Sequence, residues 1–385
     1  MRRGLFFVLL VFMAVPGLAA KHETVAQLEQ ALIAGSSAQK TDTEMARQLG
    51  GAELSERLSE ATLERLRAQV VLGPETALAL QLLADQSAFL DLPASELPTT
   101  AAPEAATQQR MLVAARSYVG ETLPRLPNFL ATRTINRYDD SPQEVKKGGW
   151  PVRAGLRRVD TSSREISVRD ERENQPPTQG SAVWERQIGL ISGGEFGTTL
   201  GMILTDTMQG RLTWSHWEQI GNAPAAVFQY VVPRSASHFE LISTLQREAA
   251  VEGFAAPSGS RGIASIGVRP NNDPARTSII RVRPAYHGSI WIDPAAGTVL
   301  RITMEAELKD SDPFRRAGIS VEYGPVKIGD ATFICPVRSL ALSLAAFDTQ
   351  GSVSDAPTEW LNETLFIGYH RFASTTRVLG DSAPQ

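Results

Sequence analysis

The stretch "YHGSIWIDPAAGTVLRITM", residues 286–304, decides how this chain is read. It gathers Tyr286, His287, Trp291 and Asp293 into one short run, which invites a catalytic reading. Its spacing argues for a hairpin instead. Two apolar runs flank "DPAAGT", where Pro294 presets φ near about −65° and Gly297 is free to take a positive φ. A loop from Pro294 to Gly297 pairs Asp293 with Thr298 and Ile292 with Val299. Continued outward, Trp291 faces Leu300, Ser289 faces Ile302 and His287 faces Met304. One face then carries Trp291, Leu300, Ile302 and Met304. The other carries Ile290, Ile292, Val299, Arg301, Thr303 and Glu305. A slip of one residue would exchange the two faces, because side chains alternate along a strand. Asp293 reads as a turn former whose carboxylate caps nearby N–H groups, not as a catalytic acid.

The same period of two runs through the flanking sequence. "FLATRTINRY", "LRRVDTSSREISVRDE", "RLTWSHWEQIGNAPAAVFQYVVP", "AGISVEYGPVKIGDATFICPVRSLALSL" and "NETLFIGYHRF" are strand-like runs with turn residues between them. Strands at hairpin spacing imply an antiparallel sheet and not βαβ units. Upstream the period is helical. Thr24 with Gln27, and Thr41 with Glu44, form capping-box pairs. Gly50-Gly51 ends one helix, and Gly73-Pro74 separates two more. "PETALALQLLADQSAFL" is apolar around much of its circumference and predicts a buried helix. "LPASELPTTAAPEAA" reads as a linker, followed by a helix over about 103–121. The expected class is α+β: an N-terminal all-helical region, then a large, curved, half-barrel-like antiparallel β-sheet with a short helix. The expected division is 1–20 signal peptide, 21–100 helical region, 101–125 linker and helix, 126–375 antiparallel β domain and 376–385 disordered tail. Residues 253–276, rich in Gly, Ser and Pro, predict a mobile loop.

The 385 residues are 42% hydrophobic and 21% charged, with a net charge of −4, which suits a globular protein. A pI of about 5.9 gives no basic footprint for nucleic acid. Arg2 and Arg3 precede the apolar run "GLFFVLLVFMAV" and the small residues of "PGLAAK". That order is the pattern of a secretory signal peptide, with cleavage expected after Ala19 or Ala20. The expected location is therefore periplasmic or secreted, with no transmembrane span after cleavage. His22, next to the cleavage point, is expected to be disordered. Cys335 is the single cysteine, so no intramolecular disulfide is possible, and its strand-like surroundings predict a buried structural thiol.

Local patterns for chemistry are weak. "ISGGEFGTTLGMILTD", residues 191–206, is glycine-rich but carries neither the lysine of a P-loop nor a dinucleotide fingerprint. It predicts a turn entering a short helix, with Gly197 and Gly201 allowing close approach to the sheet. "GIASIG" around Ser265 lacks the spacing of a hydrolase elbow. Neither cofactor nor metal is implied, since no histidine has a second ligand at zinc spacing. His216 and Glu218 share one strand face and are the nearest approach to an acid–base pair. "NET" at 362–364 reads as a chance match to a glycosylation acceptor. Aromatic residues concentrate on the strands. The candidate ligand-binding set is Trp214, Tyr230, Trp291, Leu300, Ile302 and Met304, lining an apolar face that either packs or encloses a small molecule.

The "IWID", "PAAG" and "VLRITM" segments of the hairpin together resemble a hairpin of the periplasmic lipoprotein-carrier group, the LolA, LolB and RseB-like half-barrels. The "LPNF" opening of the sheet resembles that of uncharacterised secreted bacterial proteins. The first resemblance implies a non-catalytic half-barrel, closed over by helices, that binds acyl chains or lipoprotein segments. The expected function is thus an exported envelope protein that binds an apolar, lipid-like or lipoprotein ligand. The alternatives are a structural or protein-interaction protein of the envelope, and a hydrolase using His216 and Glu218. The partner expected is a lipid, a lipoprotein segment or another envelope protein.

Overall fold

The computed structural model describes residues 22–122, 125–141, 155–169, 172–174, 189–190, 192–221, 223–246, 277–312, 314–347 and 353–372. The expected signal peptide, the loop at 253–276 and the tail at 376–385 lie outside the described residues. The α+β organisation is as the periodicities indicate. The helical region holds β1 (His22–Glu23), α1 (Val25–Ser37), α2 (Asp42–Gly50), β2 (Glu53–Leu54), α3 (Glu60–Gln69) and α4 (Pro74–Gln86). Helix α5 (Ala105–Ser117) follows, then β3 (Phe129–Asp139), β4 (Arg157–Arg169) and β5 (Arg172–Asn174). Helix α6 (Thr198–Asp206) precedes β6 (Arg211–Ile220), β7 (Ala223–Val232), β8 (Leu241–Gln246) and β9 (Thr277–Val282). The chain continues through β10 (Ala285–Ile292), β11 (Val299–Glu307), β12 (Phe314–Ile328), β13 (Ala331–Phe347) and β14 (Val353–Arg371).

Both capping boxes form: the Thr24 and Thr41 hydroxyls accept from the Gln27 and Glu44 backbone N–H groups, and those side chains accept in return. Gly73 caps α4, with Pro74 at its first position, where a missing N–H costs nothing. His22 is not disordered. It pairs in β1 with Glu53 of β2, and that pairing fixes the start of the helical region.

Among the described residues, ten strands form one sheet in the order β5-β4-β3-β14-β13-β12-β11-β10-β7-β6. All of its pairings are antiparallel, and among the described residues β5 and β6 are its two edges, so the sheet they form is open. Strands β8 and β9 form a separate hairpin. One sheet face, here the front, carries Phe228 and Tyr230 of β7, Ile290 and Ile292 of β10, Ile302 and Met304 of β11, and Ile319 of β12. These pack with Met111 and Ala115 of α5 and with Leu200, Ile203 and Leu204 of α6. The opposite, back face carries Tyr138, Leu340, Leu342 and Leu361, which pack with Leu82 of α4 and Ala88 just beyond it. The sheet is thus a middle layer between two helical layers. The helical region has its own core, built on Leu28, Leu66 and Leu80.

The turn at 293–298 forms as its residues dictate. Asp293 Oδ1 accepts from the Ala295 and Ala296 N–H groups at 2.8 and 3.1 Å, and Gly297 takes φ +71°. Ile292 pairs with Val299, as the loop length requires. Beyond that pair the expected register fails. Trp291 pairs with Arg301, not Leu300, and Gly288, not His287, pairs with Met304. Leu300 is an extra residue in β11, a bulge that advances the strand by one. The bulge exchanges the faces: Ile290 and Ile292 join Ile302 and Met304 on the front, while Trp291 and Leu300 pack with Ala225 and Val227 on the back.

Gly288 marks the tightest crossing in this hairpin. The Tyr230 hydroxyl reaches across β10 and donates to the Thr303 carbonyl at 2.7 Å. A Cβ at Gly288 would lie 1.9 Å from that carbonyl oxygen and 2.8 Å from the hydroxyl. Gly288→Ala should therefore destabilise the protein by about 2–4 kcal/mol through overpacking between the buried Tyr230 and Met304. Urea unfolding measures this, and a loss below about 0.5 kcal/mol would contradict the crossing.

Candidate functional site

The densest group of chemically capable side chains lies on the back face, where β6 and β10 meet the helical region. Glu218 and His216 alternate onto the same side of β6, as their spacing predicts. Trp291 of β10 reaches the pair from the neighbouring strands, and Arg57 comes from the segment before α3. Glu218 Oε2 accepts from Arg57 Nη2 at 2.6 Å and from Trp291 Nε1 at 2.7 Å, and lies 3.4 Å from His216 Nε2. Arg57 and Glu218 are 4% and 8% exposed, so this ion pair is out of water. The guanidiniums of Arg57 and Arg301 lie 5.3 and 4.9 Å from the Trp291 ring centroid. Arg301 Nη2 also donates to the Ala88 carbonyl at 2.9 Å, tying β11 to the helical region.

These contacts decide what Glu218 can do. Burial alone would raise its carboxyl. The hydrogen bonds and charges of His216, Arg57 and Trp291 outweigh burial and hold it at about 2. A carboxylate that low is a poor general base near neutral pH, where an effective base needs a pKa closer to the working pH. Burial, and then the nearby Arg57, push the Arg301 guanidinium down to about 10. The group is an electrostatic joint in which Glu218 Oε2 is already committed to Arg57 and Trp291.

The six sequence candidates do not converge on one surface. Trp214, Tyr230, Ile302 and Met304 belong to the front face, and Trp291 and Leu300 to the back. Trp214 is half-buried and packs edge-on against Trp217 and Phe228 at centroid distances of 4.9 and 5.5 Å. Tyr230, Ile302 and Met304 are 0–2% exposed beneath α5 and α6.

Two further polar groups join distant parts of the sequence on the front side. Asp206, at the end of α6, is buried. Its Oδ2 accepts from the Tyr286 hydroxyl at 2.8 Å and the His238 N–H at 2.9 Å, and its Oδ1 lies 2.5 Å from His238 Nδ1. Burial, together with the bond to Asp206, keeps the Tyr286 phenol protonated far above its ordinary range. Arg133 of β3 donates to the Ser192 carbonyl at 2.9 Å and meets Glu195 Oε1 at 3.3 Å, which pins the glycine-rich segment onto the sheet. That segment does turn into the short helix α6, with Gly197 at φ +133°. The space beside Gly201 is open, so it is the backbone angle at Gly197, and not close packing at Gly201, that calls for glycine. Asn362 of the "NET" sequence is buried and donates to the Leu190 carbonyl. Cys335 is buried as expected, with its thiol pushed up to about 12 by burial.

A cleft of about 310 Å³ opens at the end of the sheet. Val282, Pro284, Ala285 and Leu308 give it an apolar lining, with Arg234, Glu307, Lys309 and Asp312 also around it. None of the six candidates lines it. Among the described residues no group of three or more metal-binding side chains occurs, and no helix is long and apolar enough to cross a membrane. Compared with known proteins, the chain matches no family model, no curated protein and no solved structure.

Glu218→Gln should cost about 2–4 kcal/mol at neutral pH, because it leaves the Arg57 charge buried without a counter-charge. A carboxyl held below its free value of 4.5 adds stability that is present above that value and lost as pH falls toward about 2. Urea midpoints at about pH 7 and about pH 3 should therefore converge between wild type and variant at the lower pH. Parallel midpoints at both would contradict the assignment.

Proposed function

We propose that this is an exported, non-catalytic protein of the bacterial cell envelope that works as a protein-interaction scaffold. The observation that carries the reading is the double coverage of the sheet. Side chains from α5 and α6 fill against the front face, and the helical region fills against the back. The aromatic and aliphatic residues on the strands spend their surface on the protein itself, so a partner would meet the outer surfaces and the sheet edges. The acid–base pair His216 and Glu218 is committed to Arg57 and Trp291, which speaks against the hydrolase alternative. Export rests on Arg2, Arg3, the apolar run after them and the small residues through Ala20.

One observation favours a second reading, a binder of a small amphiphilic ligand in the manner of the lipoprotein carriers. The 310 Å³ cleft lies within the usual size range of ligand sites, about 300–1,000 Å³, and joins apolar side chains to charged ones. Native mass spectrometry of the full chain, purified from the envelope fraction after in-cell crosslinking, separates the two readings. The scaffold reading expects a mature N-terminus after Ala19 or Ala20, a ligand-free mass and a discrete crosslinked protein adduct. An unprocessed cytoplasmic chain, or a chain carrying one acyl-lipid equivalent without any adduct, would overturn it.

A further inference from the structure

Where the helical region meets the back face, the buried Asp85 and the half-buried Glu363 and Glu322 share two guanidiniums, those of Arg338 and Arg301. Arg338 of β13 donates through Nη2 to both oxygens of Asp85 at 2.8 Å. Through Nε it also donates to Glu363 of β14 at 2.8 Å. One guanidinium therefore serves two carboxylates, and Asp85, near the end of α4, is 3% exposed. Gln81, one turn earlier, donates to Asp85 at 3.0 Å. The remaining groups acting on this site are Tyr138 of β3, Glu322 of β12 and Arg301 of β11, which faces both Arg338 and Glu322. A second carboxylate, Glu359 of β14, accepts from Gln86 at 2.8 Å across the same interface. Its charged neighbours are Asp140, Arg316 of β12 and Glu53 of β2. Carboxylates that are withdrawn from water and outnumber their cations cannot all ionise without cost.

We propose that the docking of the helical region on the back face is set by pH: Asp85 and Glu359 take up protons on docking, so the docked arrangement tightens from neutral to mildly acidic medium. Burial raises the Asp85 carboxyl, Arg338 offsets only part of this, and Glu363 adds to it, leaving Asp85 at about 6 against an exposed value of 3.8. Burial raises Glu359 in the same direction. A carboxyl with a higher pKa docked than free binds more protons when docked, so docking gains as pH falls through the docked value and weakens as pH rises. Glu218 acts in the opposite sense, but only below its free value of 4.5. Asp85 alone shifts the docking equilibrium about tenfold between about pH 7.5 and about pH 5. The apolar part of this contact is small, centred on Leu82 and Ala88 with Phe89 packed beside them. Interfaces of that polar character between parts of one chain permit relative motion.

Hydrogen exchange on the full chain tests this, with the amides of residues 81–90 read against those of β12 and β13 and corrected for intrinsic rates. Wild type should show a relative protection that rises about tenfold from about pH 7.5 to about pH 5. Asp85→Asn keeps the shape without the titration and should remove most of that rise, and Glu359→Gln should remove a smaller share. If Asp85→Asn does not fold, Glu359→Gln decides alone. A wild-type ratio that stays flat or falls on acidification overturns the proposal, as does a rise that the folded variants retain in full.

Discussion

The Arg57–Glu218 ion pair is the constraint around which the two halves of this molecule are arranged. The ten-stranded open sheet has two faces, and the central strands are covered on both. The front face is mostly apolar, and α5 and α6 cover it by packing, joined by the Asp206–Tyr286 bond and the Arg133–Glu195 pair. The back face also carries Glu218, Trp291, Arg301 and Arg338. A cover for that face must bring the right charges with it, because a buried unpaired ion costs several kcal/mol. The helical region does so with Arg57 against Glu218 and the Ala88 carbonyl against Arg301, and it sets the titrating Asp85 against Arg338, which Glu363 also accepts from. Position and pairing are therefore one condition: a helical region placed elsewhere would leave several charges buried and unmatched.

This arrangement explains why clusters that look catalytic are not poised for catalysis. His216, Glu218 and Trp291 have the residue types of an acid–base site, but Glu218 Oε2 already serves Arg57 and Trp291 and is held far below a useful base. Asp206 is occupied in the same way by Tyr286 and His238. In both cases the carboxylate's hydrogen bonds are committed to groups of the protein itself.

Local features were legible in the sequence, and long-range ones were not. Both capping boxes, the Gly73-Pro74 break, the turn made by Asp293 and Gly297, the short helix after the glycine-rich segment and the buried Cys335 all follow from residues within a few positions of one another. The register of the β10–β11 hairpin was legible only as far as Ile292 and Val299. The bulge at Leu300 adds a residue that no pattern of alternation announces, and it moved Trp291 and Leu300 to the opposite face. The partners of Glu218 and Arg338 lie 161 and 253 residues away in the chain. No local signal marks Arg57 or Asp85 as their partners. Asp85 does stand out as an acidic residue in an otherwise apolar helix, which hints at a buried counter-charge without naming it.

A double-mutant cycle on Arg57 and Glu218, each replaced by leucine singly and together, tests most directly whether the helical region is held by matched buried charge. The two changes should couple by more than about 1.5 kcal/mol, with the double variant more stable than the sum of the single losses predicts. Additivity within about 0.5 kcal/mol would mean that the two side chains do not meet in the folded protein, and would contradict the account.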